Sequence, residues 1–217
     1  MVAMSCDRYV GVVPEGFSST SRRLDLQAKM RALLFTTVCA VGLAALVSLL
    51  VYAAIVASRD NLHSVVAREL YRSAQPSVDD INRYRRTLGI RTIINLRGEN
   101  AGTDWYDDEV RAARAQGVQH VDFRMSARRG LTNAEAWQLI ALMRSMPKPI
   151  LIHCESGADR SGLAASLYLA AVKSTDERTA EDQLSIRYGH INAPFGKGYG
   201  MNRTFEAMEP SLGYTGS

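Results

Sequence analysis

The run His153-Cys154-Glu155-Ser156-Gly157-Ala158-Asp159-Arg160-Ser161-Gly162 sets one thiol and one guanidinium six positions apart. The apolar run Ile150-Leu151-Ile152 before it predicts a short buried strand. Residues 160–172, rich in Ala and Leu, predict a helix opened by Arg160. A loop between a strand end and a helix start aims several backbone N–H groups into one concavity, and the helix N-terminus adds partial positive charge. Gly157 removes a Cβ where such a loop must curl. Arg160 offers a planar fork of donors for two phosphate oxygens. The same field favours thiolate over thiol at Cys154. A thiolate at the floor of a phosphate-shaped cradle is a nucleophile aimed at phosphorus, with no metal or other cofactor called for. Glu155, Ser156, Gly157, Ala158 and Ser161 would line the cradle, with the Glu155 carboxylate pointing outward. The bland alternative is an inert cysteine buried at a strand end. A bare Cys-x5-Arg spacing is weak; the strand, the internal glycine, the hydroxyl after Arg160 and the apolar helix strengthen it.

These residues resemble the His-Cys-x5-Arg-Ser/Thr-Gly signature of the cysteine-dependent tyrosine and dual-specificity phosphatases. Leu70-Tyr71-Arg72-Ser73-Ala74-Gln75-Pro76 and Gly89-Ile90-Arg91-Thr92-Ile93-Ile94-Asn95-Leu96-Arg97-Gly98-Glu99 look like the opening elements of a compact bacterial branch. Low-molecular-weight phosphatases carry their cysteine near the N-terminus, and rhodanese-like sulfurtransferases have a loop one residue shorter. The resemblance implies that Cys154 attacks phosphorus to form a phosphocysteine and that Arg160 binds the phosphate through the transition state. It further implies that Ser161 supports the thiolate and helps turn over the intermediate. His153, on a buried strand, is read as orienting the loop in preference to carrying a proton.

The leaving oxygen also needs a proton, commonly from an Asp upstream of the cysteine. The upstream loop, residues 125–130, holds no Asp. Asp122 stands 32 residues before Cys154 inside a predicted strand, and alternation decides whether it faces the site. Asp159, inside the loop, is the favoured candidate over Asp122; some bacterial and lipid-directed members of the family carry an Asp there. Water or the substrate itself is the third. Arg97 ends a strand, where α/β sheets gather ligands, and is expected to line the pocket. Arg128 and Arg129 form a basic pair that is either solvated surface or a second anion contact. Trp105 and Tyr106 either form a pocket wall or cover the core, and the core is favoured.

Strand-like and helix-like stretches alternate from residue 62 onward. Strands are expected over 69–74, 92–96, 118–125 and 150–153, and helices over 78–88, 104–116, 132–146, 160–172, 179–188 and 202–208. Thr132 with Glu135 forms a capping box. Such alternation predicts an α/β domain with a mostly parallel central sheet, and the resemblance makes it a three-layer domain of the dual-specificity-phosphatase type. The glycines at 196, 198 and 200 follow a helix and Pro194 rather than a strand, which marks a plain loop.

Ahead of that domain, residues 32–58 carry no charge, and the apolar run 32–57 is long enough to span a bilayer. A cleaved signal peptide would have a shorter apolar core. The expected organisation is a flexible tail over 1–31, a transmembrane anchor over 32–57, a phosphatase domain over 62–209 and a C-terminal tail over 210–217. Translation could also begin at Met30. Arg22, Arg23, Lys29 and Arg31 precede the run, against Arg59, Arg68 and Arg72 after it, so a single-pass topology with the domain extracytoplasmic, in a periplasm for a Gram-negative source, is favoured.

Of the net charge of +4, most belongs to residues 1–59, and no basic footprint for nucleic acid remains over the rest. Three cysteines far apart form no disulfide framework. Three functions stay in view: a membrane-anchored phosphatase for phosphotyrosine or phosphoserine/threonine proteins, a phosphatase for inositol phosphates, phospholipids or other small polyanions, and a non-catalytic phosphate-binding module. An intact thiol and guanidinium argue against the last.

Overall fold

A computed structural model of the chain describes residues 18–58, 60–126 and 128–214. The chain divides into two units, one ending at Val51 and one beginning at Tyr52.

Helix α1, Ser18–Ser58, contains a segment, Lys29–Ala53, that is long and apolar enough to cross a membrane. Most of the expected tail, residues 1–17, lies outside the described residues, as do Cys6, Ala127 and residues 215–217. Residues 18–31 are helical rather than flexible. Helix growth is far easier than nucleation, and Arg, Leu, Gln, Ala and Lys in this stretch are good helix formers, so the apolar helix extends back through them.

The second unit is an α/β domain. Its strands are β1 (His63–Val66), β2 (Leu70–Ser73), β3 (Thr92–Asn95), β4 (Gln119–Asp122) and β5 (Ile150–His153). They lie in the order β1-β2-β5-β3-β4; β1 pairs antiparallel with β2, and every other pairing is parallel. The antiparallel β1 had no alternating pattern strong enough to be expected. Helices α2 (Val78–Thr87), α3 (Asp104–Ala115), α4 (Asn133–Ser145), α5 (Asp159–Lys173), α6 (Glu177–Glu181) and α7 (Tyr199–Leu212) complete the domain. The helix expected over 179–188 breaks after α6 into two short 3-10 turns, Asp182–Leu184 and Ile186–Tyr188. That break buries Gln183 and Tyr188.

Strand alternation sorts the side chains into two cores. Ile150, Ile152 and Cys154 join Leu70, Ile94 and Leu96 against residues of α4, α5 and α7. Leu151 joins Tyr71 and Ile93 on the other face, against Ile81 and Tyr84 of α2 and Ala112 and Ala113 of α3. His153 therefore faces α3, and Cys154, one residue on, faces α5. Register aligns Ser73, His153, Asn95 and Asp122 in one row at the carboxyl edge of the sheet. Two of the flanking helices carry reciprocal caps: Ser77 and Asp80 form a capping box at α2, and Thr132 and Glu135 form the expected one at α4.

Thr132→Ala removes the reciprocal cap of α4 and should lower unfolding free energy by about 1 kcal/mol, read from denaturant midpoints.

Candidate active site

Cys154 follows the last residue of the central strand and is 1% exposed. Its Sγ lies 3.6 Å from the Ser161 hydroxyl on the first turn of α5. That turn begins at Asp159, one residue earlier than the sequence pattern places it. The intervening loop is held from outside. The carbonyl of Glu155 accepts from the Gln75 backbone N–H at 3.2 Å. Ser156 O accepts from Asn61 Nδ2 at 2.9 Å. Gly157 O and Ala158 O accept from Arg72 Nη2 at 2.9 and 2.8 Å.

Four consecutive carbonyls thus face away from the loop interior. A trans peptide carries its C=O and the following N–H on opposite sides. The N–H groups of Ser156, Gly157, Ala158 and Asp159 are therefore directed inward, as an anion-binding nest requires. Gly157 sits at φ +71°, and a Cβ there would come 2.6 Å from the backbone N of Ala74. Only glycine lets the loop lie this close to the end of β2. Arg160 is largely buried, and its Nη2 is 3.9 Å from the Glu155 carboxylate, which is 76% exposed, the outward orientation expected for it. A tetrahedral oxyanion can be gripped by this set of donors with a thiol beneath it.

Arg72 is the residue that sequence reasoning missed most. It lies in the quoted run 70–76, but nothing local marks its role. It is fully buried, donates through Nη1 to the Gln183 carbonyl at 2.7 Å, and stacks 4.4 Å from the Tyr188 ring. Burial pulls its guanidinium down to about 10, opposed by nearby Cys154, Tyr188 and Asp159. It stays cationic at neutral pH.

On the other face, Glu109 of α3 gathers the strand-end polar groups. Its Oε1 accepts from His153 Nε2 at 2.7 Å and His120 Nε2 at 2.9 Å, and its Oε2 accepts from Gln75. Burial alone would raise the Glu109 carboxyl; the two imidazoles outweigh it and hold the group down at about 2. Gln75 Oε1 accepts in turn from Arg97 Nη1 at 2.9 Å, and the Arg97 guanidinium lies 3.7 Å over the Trp105 ring. Beside the loop, Gln75, Pro76, Val78, Asp79, Trp105 and Asp108 line a cleft of about 470 Å³. Trp105 is thus a cleft wall rather than core cover.

The two candidate acids are placed very differently. Asp122 accepts from Asn95 Nδ2 at 2.8 Å on one oxygen and from the Tyr106 hydroxyl at 2.6 Å on the other. It ties β4 to β3 and α3. Asp159 stands on the loop itself, and its Oδ1 is 2.7 Å from His190 Nδ1. Arg129 is paired with Glu135. Arg128 is exposed.

Arg72→Met strips two loop carbonyls of their donor. It should cost about 3 kcal/mol of stability and abolish the rise in melting temperature that phosphate gives the unaltered chain. Glu109 is held below its unfolded value, so its contribution is full above about 4.5 and is lost as pH falls toward about 2. Glu109→Gln should flatten the loss of stability across that acid window in pH-dependent melts.

The comparisons with known proteins agree with this geometry. No curated protein matches the chain. Among solved structures, P. aeruginosa TpbA matches with TM-score 0.54 at 20% identity, over 70% of this chain and 91% of that one. The catalytic core of the PP-IP phosphatase Siw14 from S. cerevisiae matches with TM-score 0.53 at 17% identity, over 72% and 94%. PTPMT1 matches with TM-score 0.53 at 15% identity, over 70% and 98%. At these identities the likeness is one of fold. The family model described as "Tyrosine phosphatase family" matches residues 56–193, more than half of the chain. On that match, and with the Cys154 loop built as described, the chain belongs to the tyrosine phosphatase family of cysteine-based phosphatases.

Proposed function

We propose that the protein is a membrane-anchored phosphatase that hydrolyses phosphomonoesters on proteins through a phosphocysteine. The observation that carries this reading is the outward turn of four successive loop carbonyls above a buried thiol. In the first step Cys154 Sγ attacks phosphorus, the bond to the leaving oxygen breaks, and Arg160 with the inward N–H groups takes up the equatorial charge. Asp159 supplies the proton to the leaving oxygen. In the second step water attacks phosphorus, its proton returns to Asp159, and the thiolate is released with support from Ser161. Asp122 stands aside, because both of its oxygens already accept hydrogen bonds.

Protein phosphate is favoured over small polyanions by the surroundings of the loop. The adjoining cleft offers Trp105, Pro76 and Val78 as apolar walls and Asp79 as an acidic group, with Asp108 paired to Arg111. That combination suits an aromatic side chain on a peptide and repels further phosphates. Arg129 is neutralised by Glu135, which leaves Arg128 without a basic neighbour to act with. The TpbA structure solved with pTyr has the same fold at 18% identity. Residues 32–57 are read as a single-pass anchor holding the domain, residues 62–209, outside the cytoplasm.

Cys154→Ser should abolish hydrolysis of an aryl phosphate, orthovanadate should inhibit it and a chelator should leave it unchanged. Asp159→Asn should lose about 10²-fold or more with substrates of poor leaving group and lack the high-pH limb assigned to the acid, whereas Asp122→Asn should lower the melting temperature and keep that limb. Phosphotyrosine peptides should exceed inositol polyphosphates in kcat/KM; the reverse order would replace this reading with the polyanion one. A reporter active only outside the cytoplasm, fused after Ser217, should be active.

A further inference from the structure

His190 is fully buried at the side of the loop, between two oxygen acceptors. Its Nδ1 is 2.7 Å from Asp159 Oδ1, and its Nε2 is 2.7 Å from Asn202 Oδ1 on α7. A neutral imidazole has one N–H and so can satisfy one of these oxygens. With Asn202 presenting its amide oxygen, Nε2 carries a hydrogen. Nδ1 then meets Asp159 either as a second N–H against a carboxylate or as a bare nitrogen accepting from a carboxylic acid. Both forms hold one proton more than a carboxylate beside a neutral imidazole.

The surroundings keep that pair together. A Cβ on Gly198 would fall 2.5 Å from Asp159 Oδ1 and 2.9 Å from His190 Cε1, so the backbone before α7 closes directly over the contact. Arg72 of β2 is close enough to couple to Asp159, and Arg160 follows Asp159 in the chain. Helix α7 meets the imidazole with the neutral Asn202 amide. The Asp159 side chain remains 27% exposed, so the proton it shares can be reached from outside while His190 is sealed.

We propose that His190 is a positioning residue for the reaction: it fixes Asp159 over the loop and holds, with it, the single proton delivered to the leaving oxygen. This rests on Asp159 being the general acid. When the phosphorus–oxygen bond breaks, that proton goes to the leaving oxygen and the pair is left as carboxylate and neutral imidazole. When water attacks the phosphocysteine, one water proton restores the pair, the sulfur–phosphorus bond breaks, and the chain returns to its starting state with no other reactant consumed.

The test uses the full chain in detergent with two substrates, an aryl phosphate whose phenol leaves readily and an alkyl phosphate that leaves only when protonated. Asp159→Asn is the control for the underlying reading: a selective loss with the alkyl substrate upholds it, and equal loss with both overturns it. His190→Ala is expected to slow alkyl phosphate turnover about tenfold or more while aryl turnover stays within about threefold and KM is unchanged. Equal loss on both substrates, with Asp159→Asn still selective, overturns the role of His190 alone. His190→Gln keeps a donor toward Asp159 without a titrating nitrogen, and Asn202→Leu removes the acceptor at Nε2. Each serves if His190→Ala does not fold. Full alkyl phosphate turnover in His190→Gln would overturn the shared proton, and a selective loss there would sustain it.

Discussion

A buried guanidinium that meets no carboxylate among the described residues sets the terms for the rest of this domain. Arg72 spends both of its Nη groups on carbonyl oxygens of Gly157, Ala158 and Gln183 and lays its face on Tyr188. A charge taken out of water must be met by dipoles or by a counter-charge. Here the dipoles belong to the loop, and fixing them fixes which way its N–H groups look. The positive charge itself is left unneutralised behind an anion-shaped cavity. The cost of burying Arg72 therefore becomes a standing attraction for whatever anion enters on the other side.

The opposite face of the sheet solves a second problem of the same kind. Strand ends leave polar groups where the ladder stops, and at this edge Ser73, His153, Asn95 and Asp122 stand in one row. Glu109 reaches across from α3 and takes two imidazoles and the Gln75 amide at once. Asp122 does the same for Asn95 and Tyr106. The network locks His153, and with it the backbone leading into Cys154, without using a residue that the chemistry needs. All four histidines of the chain find an oxygen partner: His63 on Asn61, His120 and His153 on Glu109, and His190 on Asp159.

What could be read in the sequence follows from range. The strand, loop and helix around Cys154 are contiguous, so type and spacing alone carried the cradle, the outward Glu155 and the glycine at the curl. The parallel sheet was legible because β3 and β5 are continuous apolar runs. Arg72, Asn61, Gln75, Glu109 and His190 were not legible, because each acts on a partner between about thirty and over a hundred residues away, and polarity by itself does not name a partner. The different settings of Asp122 and Asp159 come from hydrogen bonds to Tyr106, Asn95 and His190, none of them adjacent in the chain. Helix 179–188 failed for a related reason: local propensity favoured a regular helix, and tertiary demand for Gln183 and Tyr188 beneath Arg72 prevailed.

The long reach of these contacts has a consequence for synthesis on the ribosome. Arg72 is made early and finds Gln183 only 111 residues later. Asp159 waits for His190 and then for Asn202 on the last helix. A nascent chain that has just exposed Cys154 owns the thiol and the guanidinium of its signature but neither the brace behind the loop nor the partner of Asp159. The braced loop is complete only as α7 emerges, so Cys154 spends translation as an ordinary cysteine.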